Sequence, residues 1–407
     1  MAEETRSSGL LKLPNELLIK IVDLATETGS GLGGIDFALA KSLTLVSRRL
    51  RDITIPRLYE RIPIGNLPGY HGPVDPKHSH ALSAPRTAKL LGLVENDPSL
   101  QRLCRWLHID MRDIWAREEI EAQYPTLTDK MKLIIDVISV FPKTRKFEIV
   151  GRIDDSSETL TPAWDIVCAA GRHLPDLEYV VLAHCCAASP AQMREPRFSS
   201  LTSLELFDLP GGPADLKHFL HGPKLERFAF RLHHPDDEDY VDRGGGPWSL
   251  PHVISLLESQ EESLRFLRIG TFYNAETELC GSNLAKFTAL QELHLVICDL
   301  ANLTGHDEMF AAPHLRKLTW ELHVDDHVTP GGFSRDDEAC VRTLIQTAAA
   351  WKLSLREIEI VFQPKRWWEE EKEWPWDTMR VLEAEGQEVG IHVTWDEPDE
   401  MFDLEEE

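Results

Sequence analysis

The stretch TGSGLGG places Gly29, Gly31 and Gly34 at the G-x-G-x-x-G spacing. Such a loop can close its backbone N–H groups on a pyrophosphate when a strand enters it and a helix leaves it. The segment that enters, LKLPNELLIKIVDLAT, carries Leu13, Leu17, Leu18, Ile21 and Leu24 at helical intervals, with Pro14 suited to a first turn. The segment that leaves, IDFALAKSLTLVSRRLRDI, reads as a second helix capped by Asp36 and striped by Leu39, Leu43, Val46, Leu50 and Ile53. Arg48, Arg49 and Arg51 then fall in its last turns, where cations suit the helix dipole, and Pro56 breaks or restarts it. Glycines between two helices are a spacer. An enzyme using this loop for a nucleotide is therefore the weakest of three functional hypotheses.

Other reactive side chains are no better organised. His71, His78 and His80 lie in a Pro- and Gly-rich segment without cysteines or a helix to fix them. His218 and His221 sit one helical turn apart without a third ligand. Asp236, Asp237, Glu238 and Asp239 lack the spacing of an EF-hand loop and read as a solvated acidic loop. The chain has no G-x-S-x-G, H-E-x-x-H or G-K-[ST] motif. No catalytic residue, cofactor or metal is expected.

The charge sets the partner class. A net −25 gives little attraction for phosphate backbones or anionic membranes, so neither nucleic acid nor a membrane is an expected partner. Apolar runs fall short of the roughly 18 residues of a membrane span. MAEETRSSG has no signal-peptide core, and the seven cysteines are scattered without a C-x-x-C pair. An intracellular protein, cytoplasmic or nuclear, with reduced thiols is the expectation.

Residues 11–62 are too few to bury much core, yet their apolar positions cover more than one helix face. Such a surplus marks an interface. The blocks LPNELLIKI, residues 13–21, and LTLVSRRLRDI, residues 43–53, resemble the F-box family, and the following IPRLYERI looks like its fungal members. Leu50 stands where the family often has an aromatic residue, and the glycine insert lengthens the first loop. The resemblance covers about an eighth of the chain. It implies that Leu13, Pro14, Leu17, Leu18, Ile21, Val46 and Leu50 pack against a Skp-type adaptor, and through it a cullin.

Beyond a segment taken as a linker, residues 63–98, the chain repeats. Copies of L-x-x-h-x-h, with h apolar, start at Leu177, Leu201, Leu225, Leu264, Leu290, Leu315 and Leu355, with weaker copies in RWLHID and RKFEIV. The spacing near 25 resembles leucine-rich repeats, whose stacked units bury a core that no single unit could. The fold class expected is α/β: an all-α F-box-like module, then an irregular leucine-rich-repeat-like solenoid with a curved parallel sheet over residues 99–395. Residues 1–10 and the acidic tail 396–407 are read as disordered. Return helices are expected over 131–141, 163–174, 251–260 and 338–353. Cys185 and Cys298 occupy the position that ties down the turn after a strand. Of the four tryptophans in KRWWEEEKEWPW, a role capping the end of the core is preferred over an exposed binding patch.

Alternation turns the leucines inward and presents the intervening residues on the other face of the sheet. Glu205, Phe207, Arg231, Arg268, His294 and Glu321 are the candidate target-binding residues there, since mixed charge with aromatic patches suits protein recognition. Two inserts, 233–247 and 325–337, fall at one edge and compete with that face as the reading surface. The leading expectation is a substrate-recognition subunit of a cullin-based SCF-type ubiquitin ligase. The alternative is a protein-interaction scaffold acting through the repeats alone.

Overall fold

The computed structural model describes residues 12–26, 37–65, 84–111, 127–151, 163–183, 185, 197–207, 216–217, 219–231, 250–270, 283–296, 310–321, 333, 335–350, 353–362 and 375–396. The glycine stretch, Asp36, the histidines at 71, 78, 80 and 218, Cys298 and the insert 233–247 lie outside these residues. So do most of the insert 325–337, three of the four clustered tryptophans, the N-terminus and nearly all of the acidic tail. The chain forms two compact units, residues 1–200 and 201–407.

The first unit opens with three helices: α1 (Asn15–Thr26), α2 (Phe37–Val46) and α3 (Arg48–Glu60). Pro14 stands just before α1, and its carbonyl accepts the first helical bond from Leu18 N at 3.1 Å. Leu18, Val22 and Leu50 form a buried core with Leu13, Leu43 and Ile53 packed around it. The second helix differs from the sequence expectation. It stops at Val46, because Ser47 takes an extended backbone (φ −158°, ψ 158°) and its hydroxyl accepts from Leu50 N, starting α3 afresh. Pro56 therefore lies inside α3 rather than ending it. Arg48, Arg49 and Arg51 consequently sit at a helix N-terminus, the wrong end for the dipole. Arg49 has a compensating role: it donates to Leu13 O at 2.7 Å and Asn15 Oδ1 at 2.9 Å. Arg57, two turns on, reaches Asp23 at 2.8 Å, so α3 is tied to both ends of α1.

The helix α3 runs without a loop into the strand β1 (Arg61–Ile64). This strand spans the expected boundary between module and linker, and the supposed linker also holds a helix, α4 (Ala84–Asn96). The strand escaped notice because four residues beside prolines carry almost no periodic signal, and the helix because it begins inside the Pro- and Gly-rich stretch 63–87. Then follow β2 (Trp106–Asp110), α5 (Leu127–Val140), β3 (Lys146–Val150), α6 (Ala163–His173) and β4 (Tyr179–Ala183). In this unit β1 to β4 pair in sequence order, all parallel.

The second unit repeats the plan. Its strands are β5 (Ser203–Phe207), β6 (Arg227–Arg231), β7 (Phe266–Gly270), β8 (Glu292–Val296), β9 (Lys317–Glu321), β10 (Glu357–Val361) and β11 (His392–Trp395). All seven are parallel and in sequence order. The described helices of this unit are α7 (Leu250–Leu256), α8 (Arg335–Ala350) and α9 (Trp376–Glu388). Successive strands are entered through the same backbone step: Arg265 N to Glu226 O, Gln291 N to Arg265 O, and Arg316 N to Gln291 O, at 2.7–2.8 Å. One side chain from each pair of alternating positions, such as Phe228, Phe230, Leu267, Ile269, Leu293 and Leu295, is fully buried. The fold is thus α/β with parallel strands in each unit.

Local devices hold the turns. Gln260 is buried and bridges two of them, accepting from Leu225 N at 2.9 Å and donating to Leu220 O and Pro223 O. Cys185, buried after β4, donates to Ala183 O at 3.3 Å, the turn-tying place expected for it. Trp376 packs edge-on against Phe362 at 5.4 Å, and Phe362 against Phe333 at 5.8 Å, so this tryptophan covers core residues. Where α9 meets β11, a Cβ on Gly386 would stand 2.7 Å from Ile391 O. Gly386→Ala is expected to destabilise the second unit by about 1–3 kcal/mol, read from its urea midpoint. Among the described residues no helix is long and apolar enough to cross a membrane.

Candidate functional site

Two surfaces stand out, one in each unit. The first is apolar. Seven of the exposed large apolar side chains among the described residues, Leu17, Ile19, Ile21, Leu24, Leu39, Leu45 and Val46, belong to α1 and α2. Leu17, Ile21 and Leu24 recur at i, i+4 and i+7 and form one stripe along α1. Leu24, Leu45 and Val46 are 74%, 81% and 64% exposed, so the three-helix core makes no use of them. The residues grouped by sequence therefore divide. Leu17, Ile21, Val46 and Pro14 face outward. Leu18 (0% exposed) and Leu50 (2%) are core, and Leu13 is half-buried against them. A partner docking on α1 meets the first group and is only indirectly served by the second.

The second surface is polar and lies on the sheet of the second unit. Register aligns Glu205, Ala229, Arg268, His294, Thr319 and Glu359 across β5 to β10. The row two residues on carries Phe207, Arg231, Gly270, Val296, Glu321 and Val361. All six sequence candidates are on this one face, as alternation implies. Four of them form a cluster. Glu321, with its side chain 9% exposed, accepts from Arg268 Nη2 at 2.8 Å and lies 3.1 Å from His294 Nε2. Burial alone would raise its pKa; the His294 hydrogen bond and the charges of Arg268 and Arg231 overcome that and bring it down to about 2. Gly270 makes room for this: a Cβ there would meet Val296 Cβ at 3.1 Å and Arg231 Cγ at 3.4 Å. Phe207 stands apart from the cluster beneath Arg231, 5.9 Å from ring to guanidinium.

The same face holds residues that the sequence reading passed over. Arg227 stacks over Phe266 at 4.0 Å. Lys317 reaches Glu357 at 2.7 Å and Glu359 at 2.8 Å. Arg227 and Lys317 stand four positions before the chosen Arg231 and Glu321, so the period of two already marked them. On the sheet of the first unit, Arg61, Trp106, Lys146 and Tyr179 align in register and alternate cation with ring. Arg61 lies 3.3 Å and Lys146 3.8 Å from the Trp106 centroid, and Lys146 4.5 Å from that of Tyr179. Glu148 collects Trp106 Nε1, His108 Nδ1 and Lys146 Nζ within 2.9 Å. Burial opposes its ionisation, and the hydrogen bonds and charges of His108 and Lys146 more than offset it, lowering its pKa.

Among the described residues no group of three His, Cys, Asp or Glu side chains could hold a metal ion. The described cysteines are buried, and desolvation raises the Cys104 thiol to about 12. Iodoacetamide at pH 8 should therefore leave Cys104 unlabelled in the native protein and label it after denaturation, as read by mass spectrometry. The chain matches no family model and no curated protein.

Proposed function

We propose that the protein is a substrate receptor of a cullin-based SCF-type ubiquitin ligase, with α1 to α3 as an F-box-like module docking on a Skp-type adaptor. In this reading the parallel strands that follow are leucine-rich-repeat-like and hold a target protein. The observation that carries it is the apolar stripe Leu17, Ile21 and Leu24 with Leu45 and Val46, left exposed although Leu18, Val22 and Leu50 already complete a core. Large exposed apolar side chains gathered on one small module mark a docking surface. The protein acts by position: holding a target near the ubiquitin donor raises its effective concentration, and no residue of this chain need react. The four described cysteines, Cys104, Cys168, Cys185 and Cys340, are free thiols, which fits a cytoplasmic or nuclear setting.

The direct test is co-purification. The full chain should bring down a Skp-type adaptor and a cullin from a eukaryotic extract, and should bind purified adaptor in a titration. No adaptor capture by the folded wild type would sink the proposal.

A further inference from the structure

The strand entrances of the second unit form a row of their own. Arg316 N donates to Gln291 O at 2.7 Å and Arg356 N to Arg316 O at 2.8 Å, so Gln291, Arg316 and Arg356 stand side by side just before β8, β9 and β10. Lys286 lies in the turn that leads into β8. Lys286, Arg316 and Arg356 are all exposed. The described residues of these three entrances, 283–291, 310–316 and 353–356, contain no aspartate or glutamate, although the whole chain has 68 acidic against 43 basic residues. This edge is a local positive feature in a chain of net charge −25.

The cations of the edge are uncommitted. Among the described residues, the side chains of Lys286 and Arg316 make no hydrogen bond or ion pair. Arg356 gives Nη1 to Leu353 O at 3.2 Å and Leu355 O at 2.8 Å, which anchors its guanidinium at the entrance and leaves Nε and Nη2 for a ligand. The acids adjoining the row have other places. Glu292 and Glu357 follow Gln291 and Arg356 in the chain, but alternation turns them to the polar face, and Glu357 holds Lys317 there at 2.7 Å. Glu226, Glu261 and Glu262 accompany Arg265, the entrance residue of β7, so the positive strip stops short of that strand. The entrances of the first unit show the other arrangement. Arg145 pairs there with Glu178 at 3.6 Å and Lys143 with Asp176 at 2.7 Å, so that edge neutralises itself.

We propose that the strip at the entrances of β8, β9 and β10 binds an extended acidic segment of the target, with carboxylate side chains at alternate positions. One carboxylate is held between Arg316 and Arg356, and the next reaches Gln291 and Lys286. The spacing follows from the sheet. Neighbouring strands stand about 4.8 Å apart, so the midpoint of the two arginines lies about 7 Å from β8, and side chains on one side of an extended chain recur every ~6.7 Å. A guanidinium takes a carboxylate through two parallel bonds, which a lysine cannot offer. The occupant is a protein segment rather than a nucleic acid, because a chain of net charge −25 repels a long polyanion more than a short acidic segment. The same net charge opposes a second copy of this chain. The inference rests on the target-holding role proposed above and names the chemistry that the target presents.

The probe is a fluorescein-labelled peptide with the core Ser-Glu-Ser-Glu-Ser, titrated into the full chain at low salt and followed by anisotropy. It should bind about tenfold or more tightly than the same peptide with glutamine for glutamate, and added salt should weaken it. Arg316→Ala should remove most of the difference between the two peptides and leave the melting temperature within a few degrees, since this side chain is exposed. Arg316→Lys keeps the charge without the fork and should retain part of the difference. Arg145→Ala, at the self-neutralised edge, should bind both peptides as the wild type does.

Equal binding of the two peptides, an equal loss from Arg145→Ala, displacement of the peptide by a single-stranded RNA, or self-association of the chain that Arg316→Ala abolishes would each overturn the assignment. Adaptor capture is a separate readout. Its absence in the wild type would defeat the ligase reading alone, since the peptide titration uses the isolated chain.

Discussion

Leu17→Asp with Ile21→Asp is expected to abolish adaptor capture while leaving the melting temperature within a few degrees of wild type. Leu17 is 46% and Ile21 39% exposed, so both aspartates can remain in water in the free protein. In a complex the same positions would be buried. Burying a leucine or isoleucine side chain contributes about 1.5–3 kcal/mol, and the replacement also forces a charge out of water. Loss of two such anchors is expected to weaken binding by at least about a hundredfold, measured by titration with purified adaptor. The neighbouring core residues behave differently. Leu18→Ala and Leu50→Ala should each cost about 2–5 kcal/mol, because both side chains are fully packed. They would lower capture by unfolding the module, visible as lost helix signal. A double aspartate variant that still binds adaptor at full strength would refute the stripe as the docking surface.

Glu321 supplies the second large effect. Its pKa falls from 4.5 to about 2 in the folded protein. A carboxyl group with a depressed native pKa contributes stability that is fully present above its unfolded value and is lost as pH falls toward the native one. That difference corresponds to at most about 3 kcal/mol, reduced by whatever solvent screens the cluster. Glu321→Gln should therefore lower stability most at neutral pH. The gap between wild type and variant should close between pH 4.5 and about 2. Urea midpoints for both proteins across that range would measure it. A gap that stays constant with pH would mean that the carboxylate is not held by Arg268, Arg231 and His294. The comparison isolates this residue from the many other carboxylates that titrate in the same window.

Much of the architecture was legible in the sequence because stacked parallel strands repeat a short apolar pattern. Every copy of L-x-x-h-x-h in the second unit became a strand, and β10, for example, buries Ile358 and Ile360 as the pattern requires. Three elements escaped notice: β1, a four-residue strand containing Pro63, and the helices α4 and α9, which begin within or just after segments dominated by turn formers or by charge. The helix break was misplaced for a specific reason. Pro56 is the stronger breaker by propensity, but Ser47 offers its hydroxyl to Leu50 N and so makes a new start cheaper than continuation. Pro56 then loses one backbone bond inside α3, which tertiary ties from Arg49 and Arg57 help to offset.

For the candidate surfaces, local sequence determined membership and tertiary structure determined roles. Period two assigned Arg231, Arg268, His294 and Glu321 to one face, since successive side chains of a strand must point to opposite sides. It could not show that they meet, because Glu321 lies 53 residues from Arg268 and 27 from His294, and only strand register brings them together. Helical spacing likewise marked Leu17, Leu18 and Ile21 as apolar alike. Which of them is buried depends on where α3 packs, and it packs on Leu18 and leaves Leu17 and Ile21 in water.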